Sequence, residues 1–282
     1  MNSRSVFHLI SYLTFVIGIT MVICGGISRI YNESILLTQS FLTSGIITLI
    51  FSFILGFFTK GNIHLSRRDG FGVVTFGWII ITLFGSLPYI LSGVINHPVS
   101  ALFETMSGFT TTGASVLSNL EMQPKSILLW RSLTQWLGGM GVIVLCVAIL
   151  PFLGVGGMQI FRAEMPGPSK DRLTPRITTT AKLLWGVYLI LTFAQILALF
   201  YIGKMNWFDS ICHTFSTIAT GGFSTRTQSI GAFNSTSVDL IIITFMFLSG
   251  INFALHYHAL RGKPLMYLKA VSYTHLTLPT IM

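Results

Sequence analysis

Phe109-Thr110-Thr111-Thr112-Gly113-Ala114-Ser115 and Ile218-Ala219-Thr220-Gly221-Gly222-Phe223-Ser224 are short, polar, uncharged segments set in long apolar sequence. Gly113 and Gly222 stand 109 residues apart, and the same offset pairs Thr105 with Thr214, Ser107 with Ser216 and Thr111 with Thr220. It also pairs Ser115 with Ser224 and, downstream, Gly141 with Gly250. A monovalent cation stripped of water needs several oxygen ligands in a ring, which backbone carbonyls supply in selectivity filters. Threonine tolerates extended backbone, and glycine reaches conformations barred to other residues, so successive carbonyls can turn inward. One such segment alone would equally suit a polar stripe between close-packed membrane helices. The repeat favours the ligand reading.

The rest of the chain supports a membrane setting. Of 282 residues, 52% are hydrophobic and 9% charged, against about 25% charged in soluble domains. Windows 5–28, 34–59, 71–103, 132–161, 183–203 and 240–260 hold no Lys, Arg, Asp or Glu. Each reaches the ~20 residues that cross a hydrocarbon core. The net charge of +9 does not indicate nucleic acid, because the basic residues are sorted by side. With the N-terminus placed in the cytoplasm, Arg4, Lys60, Arg67, Arg68, Arg162, Lys170, Arg172, Arg176, Lys182, Arg261, Lys263 and Lys269 fall inside. Arg29, Lys125, Arg131, Lys204 and Arg226 fall outside. That is the positive-inside bias of a multi-pass membrane protein. Cys24, Cys146 and Cys212 lie in or beside apolar windows without metal or redox spacing, and read as small core residues.

The predicted fold class is an all-α membrane protein. Two N-terminal spans (about 6–30 and 35–58, in a segment 1–66) precede two parallel helix–re-entrant loop–helix units at 67–153 and 178–264. In the first unit a full helix at 71–93 turns at Asn96-His97-Pro98 into a half-helix at 99–110, and a helix at 126–150 returns. In the second, the corresponding helices fall at 178–202, 206–218 and 237–258. Non-helical backbone at membrane depth is tolerated only where protein buries it or a water-filled cavity receives it, so both Thr/Gly segments are expected to line a pathway. Each half-helix would aim its partly negative C-terminus at a cation there. The segment 154–177 reads as a solvated cytoplasmic linker, with a docking surface as the alternative.

Glu104, in the first half-helix, is matched at the same offset by His213. Its depth suits hydrogen bonding to the loop backbone and ion attraction equally. Arg131 and Asp239 start the returning helices and are expected at the outer interface; His256 is expected at the inner one. Gly138-Gly139-Met140-Gly141 and Ser249-Gly250 read as close packing against the loops, with a hinge as the alternative, because glycine inside a helix is otherwise unfavourable by about 1 kcal/mol. No nucleophile–base pair, nucleotide motif or metal cluster is visible, so no enzyme and no organic cofactor is expected. A secondary transporter with discontinuous helices is the alternative; it would call for inverted repeats, whereas both units here start from the cytoplasmic side.

Five segments together resemble the Trk/Ktr/HKT superfamily of potassium transporters, and within it the TrkH/TrkG-type bacterial subunit. They are Glu104-Thr105-Met106-Ser107-Gly108-Phe109-Thr110-Thr111-Thr112-Gly113-Ala114-Ser115, Trp130-Arg131-Ser132-Leu133-Thr134-Gln135-Trp136-Leu137-Gly138-Gly139-Met140-Gly141, Arg162-Ala163-Glu164-Met165-Pro166-Gly167-Pro168, Ala219-Thr220-Gly221-Gly222-Phe223-Ser224 and Asn252-Phe253-Ala254-Leu255-His256-Tyr257. The resemblance covers about residues 1–264 and implies a K⁺ pathway, shared in part by Na⁺, in a bacterial inner membrane. It implies four helix–loop–helix units around one pore, a homodimer, surrounding membrane lipid and a TrkA-like cytoplasmic nucleotide-binding regulatory subunit. Carried over by position, the potassium filter residues are Thr110, Thr111, Thr112, Gly113, Ala219, Thr220, Gly221 and Gly222, with Glu104, Gly141 and Gly250 as pore support. Two of the four units would then lie outside this sequence, and 265–282 reads as a non-family tail of a truncated gene model.

Overall fold

The computed structural model describes residues 2–61, 67–153, 173–251, 253–260 and 262. The linker around Arg162–Pro168 and the tail 265–282 lie outside the described residues, as does the side chain of Cys146. Among the described residues there is no strand. Helix α1 (Ser3–Ile30) and α2 (Ile35–Thr59) form an antiparallel hairpin. They are followed by α3 (Arg67–Gly85), the short α4 (Leu87–Leu91), the half-length α5 (Pro98–Phe109) and the long α6 (Lys125–Leu153). The second unit comprises α7 (Leu173–Tyr201), half-length α8 (Trp207–Ile218), α9 (Thr236–Gly250) and α10 (Phe253–Leu260). Ser3–Ile30, Ile35–Thr59, Asp69–Leu91 and Ala181–Tyr201 are long and apolar enough to cross a membrane.

Local chemistry sets the ends of these helices. Ser34 caps α2 through its side chain, which accepts from the Leu37 N–H at 3.3 Å. Asn206 caps α8 in both directions: its Oδ1 accepts from the Asp209 N–H at 2.7 Å, and its Nδ2 donates to Asp209 Oδ2 at 2.6 Å. Such side chains satisfy N–H groups that the first helical turn leaves open. Pro98 opens α5, where a missing N–H costs nothing.

Two expected helices are divided. The single helix expected over 71–93 breaks at Ser86, because the Pro88 ring lacks an N–H and crowds the carbonyl four residues back. The carbonyl of Gly85, released at that break, accepts the Trp130 indole N–H at 3.1 Å. The helix expected over 237–258 ends at Gly250, with Ile251 extended at ψ 146°. His256, 5% exposed, returns its Nε2 to the Leu248 carbonyl at 2.8 Å. It is therefore a buried group that satisfies a helix end, where the sequence suggested an interfacial one.

One apolar core joins the N-terminal hairpin to the first unit and reaches the second. Met21 and Cys24 of α1, Phe41 of α2, Tyr89 of α4, Phe109 of α5, Trp130 of α6 and Cys212 of α8 are all buried in it. Side chains of that size each contribute about 1.5–3 kcal/mol on leaving water; in lipid the gain comes from packing instead. Phe109, the last residue of α5, thus connects the core directly to the first Thr/Gly segment.

Candidate functional site: two loops on one helix face

Helices α5 and α8 end in the same backbone motif. The Thr111 N–H reaches the Gly108 carbonyl at 3.0 Å and the Thr112 N–H the Ser107 carbonyl at 2.9 Å. One offset later, Thr220 N–H reaches Thr217 at 2.9 Å and Gly221 N–H reaches Ser216 at 2.8 Å. This is the Schellman arrangement, with a left-handed residue just past the helix. Thr111 at φ +54° and Thr220 at φ +53° occupy that position, and Gly113 at +79° and Gly222 at +83° follow two residues on. For a β-branched residue this conformation stores strain on the order of 1–2 kcal/mol. The repeat in sequence is thus a repeat in backbone conformation.

The strained turns leave the next carbonyls unspent. Among the described residues, none of the carbonyls of Thr110–Gly113 or of 219–222 accepts a hydrogen bond. The two loops abut: a Cβ added at Gly113 would overlap the carbonyl oxygen of Gly221. Side chains tie the first loop together. Ser107 Oγ donates to the Ala114 carbonyl at 2.5 Å, and the Thr110 and Thr112 hydroxyls meet at 2.8 Å. The matching Ser216 hydroxyl is buried without a hydrogen-bond partner among the described residues.

Glu104 is fully buried and meets the chain emerging from the first loop. Its Oε2 accepts from the Val116 N–H at 2.8 Å, and its Oε1 from Ser115 Oγ at 3.0 Å and Arg131 Nε at 2.7 Å. Arg131 is 1% exposed; the sequence placed it at the outer interface, but its charge is neutralised by Glu104 inside the protein. A buried ion needs both a countercharge and hydrogen bonds, and Arg131 has both. It donates from Nη2 to Ser115 Oγ at 3.0 Å, from Nη1 to the Ser224 carbonyl at 3.2 Å, and lies 4.2 Å over the Phe223 ring. One residue therefore holds both loops.

The same face of α6 continues that role. Gln135 Oε1 accepts from the Phe223 N–H at 3.1 Å, and its amide lies where a Gly221 side chain would stand. A Cβ on Gly138 would strike the Phe109 carbonyl, and one on Gly139 would stand 3.0 Å from Ala219 Cα. Positions 131, 135, 138 and 139 share one helical face; on it the ends of α5 and α8 both rest. Gly141 and Gly250, expected as pore support, have no neighbour among the described residues where a side chain would be. Arg131 and Gln135 are the functional residues that the sequence reading left out. Their signal was the i, i+4, i+7, i+8 stripe of polar and Gly positions in an otherwise apolar helix.

The second unit uses different groups for the same task. Asp209 accepts from the Thr225 hydroxyl at 2.5 Å and from Arg226 Nη2 at 2.9 Å, and His213 Nε2 lies 3.3 Å from that hydroxyl. Outside the loops, Glu121 accepts from the Thr227 N–H at 2.8 Å and its hydroxyl at 2.6 Å. These bonds from Thr227 hold the Glu121 carboxyl below its ordinary range and connect the two units at their exposed side.

Comparison with known proteins gives the family. The TrkH family of cation transport proteins matches over residues 37–274. The chain belongs to the TrkH family. The family match runs past residue 264, where the sequence reading ended the resemblance. The chain is 44% identical over 269 residues to the Trk system potassium uptake protein TrkH of Escherichia coli (strain K12), covering 94% of this chain and 55% of that protein. It is 51% identical over 204 residues to TrkH of Halomonas elongata, covering 72% of this chain and 42% of that protein. The crystal structure of the potassium transporter TrkH from Vibrio parahaemolyticus superposes with a TM-score of 0.83 at 38% identity, over 95% of this chain and 55% of that one. This TrkH-family chain thus spans about 55% of the length of the E. coli and V. parahaemolyticus proteins. The family is one of transport proteins, not of enzymes.

Proposed function

We propose that this chain is half of a potassium uptake pathway, in which the two Thr/Gly loops each supply one quarter of a filter of backbone carbonyls. The observation that carries the proposal is the shared Schellman ending with the unspent carbonyls beyond it. Thr110, Thr112, Thr220 and Gly222 are exposed, so their carbonyls stand open to a ligand, and a dehydrated cation is one that a ring of carbonyl oxygens can hold. Thr110–Gly113 and 219–222 are the proposed ligand segments, with K⁺ the main cargo and Na⁺ a second permeant ion. The names of the relatives, potassium uptake proteins, support the choice of ion.

The units 67–153 and 178–264 are proposed to run in parallel, entering from the cytoplasmic side of a bacterial inner membrane where the N-terminus also lies. The distribution of Lys and Arg supports this orientation. A secondary transporter with inverted repeats fits less well, since α5 and α8 approach a single helix face with the same backbone ending. Two further loops, a second copy in a homodimer, and a TrkA-like nucleotide-binding regulatory subunit at the cytoplasmic face complete the proposed assembly.

Gly113→Ser tests the filter. Its side chain would be strained at φ +79° and would displace the Gly221 carbonyl, spreading the two loops. In the assembled system, K⁺ over Na⁺ discrimination in uptake is expected to fall about tenfold, equivalent to ~1.4 kcal/mol. Unchanged discrimination at a normal protein level would sink the filter assignment.

A further inference from the structure

The N-terminal hairpin of α1 and α2 contributes no residue to either loop, yet α1 packs against the filter's supporting helix and two further contacts reach it from the turn and from α2. At the exposed end, the turn between α1 and α2 reaches across to the start of α6. Glu33 Oε1 accepts the Ser126 N–H at 3.2 Å, one of the groups that a helix start leaves without an internal partner. Its carboxylate also faces the positive end of the α6 dipole. Beside it the Lys125 ammonium lies 4.2 Å over the Tyr31 ring and 5.8 Å from that of Phe208, the second residue of α8. Tyr31 and Phe208 themselves meet edge to face at 5.7 Å. The turn therefore grips α6 and α8 together where both begin.

The second contact is in the core and independent of the first. Phe41 of α2 is fully buried and meets Trp130 edge to face at 6.4 Å. Trp130 meets Phe109 at 6.4 Å on its other side, and the Trp130 indole N–H is fixed on Gly85. Phe109 is the residue whose carbonyl rests on Gly138 and whose neighbour, Thr110, opens the first ligand segment. A displacement of Phe41 has a short packed route to that segment.

We propose that Glu33 and Phe41 are positioning residues for ion selectivity, by which the N-terminal hairpin sets the register of α6 against α5 and α8. The inference rests on the filter reading of the two loops. It assigns residues 3–59 a part in discrimination that a mere membrane anchor would not have.

The experiment is uptake by the assembled system in a host without potassium transporters of its own, read as K⁺ over Na⁺ discrimination per inserted protein. Glu33→Ala and Phe41→Leu are each expected to lower that ratio about threefold, a low-end coupling for packed neighbours. Glu33→Gln, whose amide oxygen can still accept from Ser126, is expected to restore it. Should Glu33→Ala fail to accumulate, Glu33→Asp, which only draws the carboxylate back, is read in the same way. If Gly113→Ser lowers the ratio while the Glu33 and Phe41 variants change only the amount of protein, the hairpin is an anchor and the inference fails alone. If Gly113→Ser leaves the ratio unchanged as well, the filter reading fails first.

Discussion

Arg131→Met is expected to destabilise the protein by about 3–5 kcal/mol, the range for removing one partner of a buried ion pair. Glu104 would stay fully buried with its backbone bond to Val116 but without a countercharge. Arg131 also supplies the bond to the Ser224 carbonyl and the contact with the Phe223 ring, so the second loop loses its anchor in the same change. The double variant Arg131→Met/Glu104→Gln removes both charges and should regain much of the loss, because the expensive state is the unpaired one. Thermal unfolding in detergent checks both values. The charges left behind by the single variants Glu104→Gln and Arg131→Met also differ in sign at the proposed filter. Glu104→Gln leaves a positive charge beside carbonyls proposed to receive a cation, and should weaken K⁺ binding about tenfold; in Arg131→Met the negative charge left behind offsets part of what the loosened second loop loses, so its effect on K⁺ binding should be smaller. Equal effects of the two on K⁺ binding would remove the electrostatic part of the argument.

Gly138→Ala is expected to be nearly as damaging, at the upper end of the roughly 1–3 kcal/mol seen for overpacking. The added methyl would meet the Phe109 carbonyl and, at 3.0 Å, its Cα. Both are backbone, so no rotamer change relieves the contact, and α5 must move away from α6. The first of the proposed ligand segments moves with it, and uptake should fall together with stability. Gly141→Ala is the internal control, since its side chain would enter open space. There the gain in helix propensity, about 1 kcal/mol, should make the variant neutral or slightly more stable. A Gly141→Ala variant as damaged as Gly138→Ala would contradict the packing described for α6.

Much of the helix layout was legible in residue order, for reasons local to each segment. Apolar runs gave α1 and α2 to within a few residues, and the turn at Asn96-His97-Pro98 marked where the first half-length helix begins. The offset shared by Thr111 and Thr220 foretold that the two loops would match. Cross-chain pairings were not legible. Hydropathy assigns Arg131 to the outer end of a helix, because nothing nearby in sequence neutralises it; Glu104, its partner, is separated by the whole first loop. The break at Ser86 depends on Trp130 taking the Gly85 carbonyl as well as on Pro88. Among the clustered glycines, packing was the right reason for Gly138 and Gly139. The offset that singled out Gly141 and Gly250 recorded a shared position, with no contact at either among the described residues.

The support of the second loop by α6 bears on how such chains can be recombined. By repeat boundaries, residues 67–153 and 178–264 look like interchangeable modules. The contacts of Arg131 with Ser224, Gln135 with Phe223 and Gly139 with Ala219 run across that boundary. A chimera joined at the linker would seat the second loop of one parent on a helix shaped for another. The unit that can be exchanged intact is the pair of loops with the helix between them, so gene shuffling among relatives should succeed at breakpoints outside the pair and fail within it.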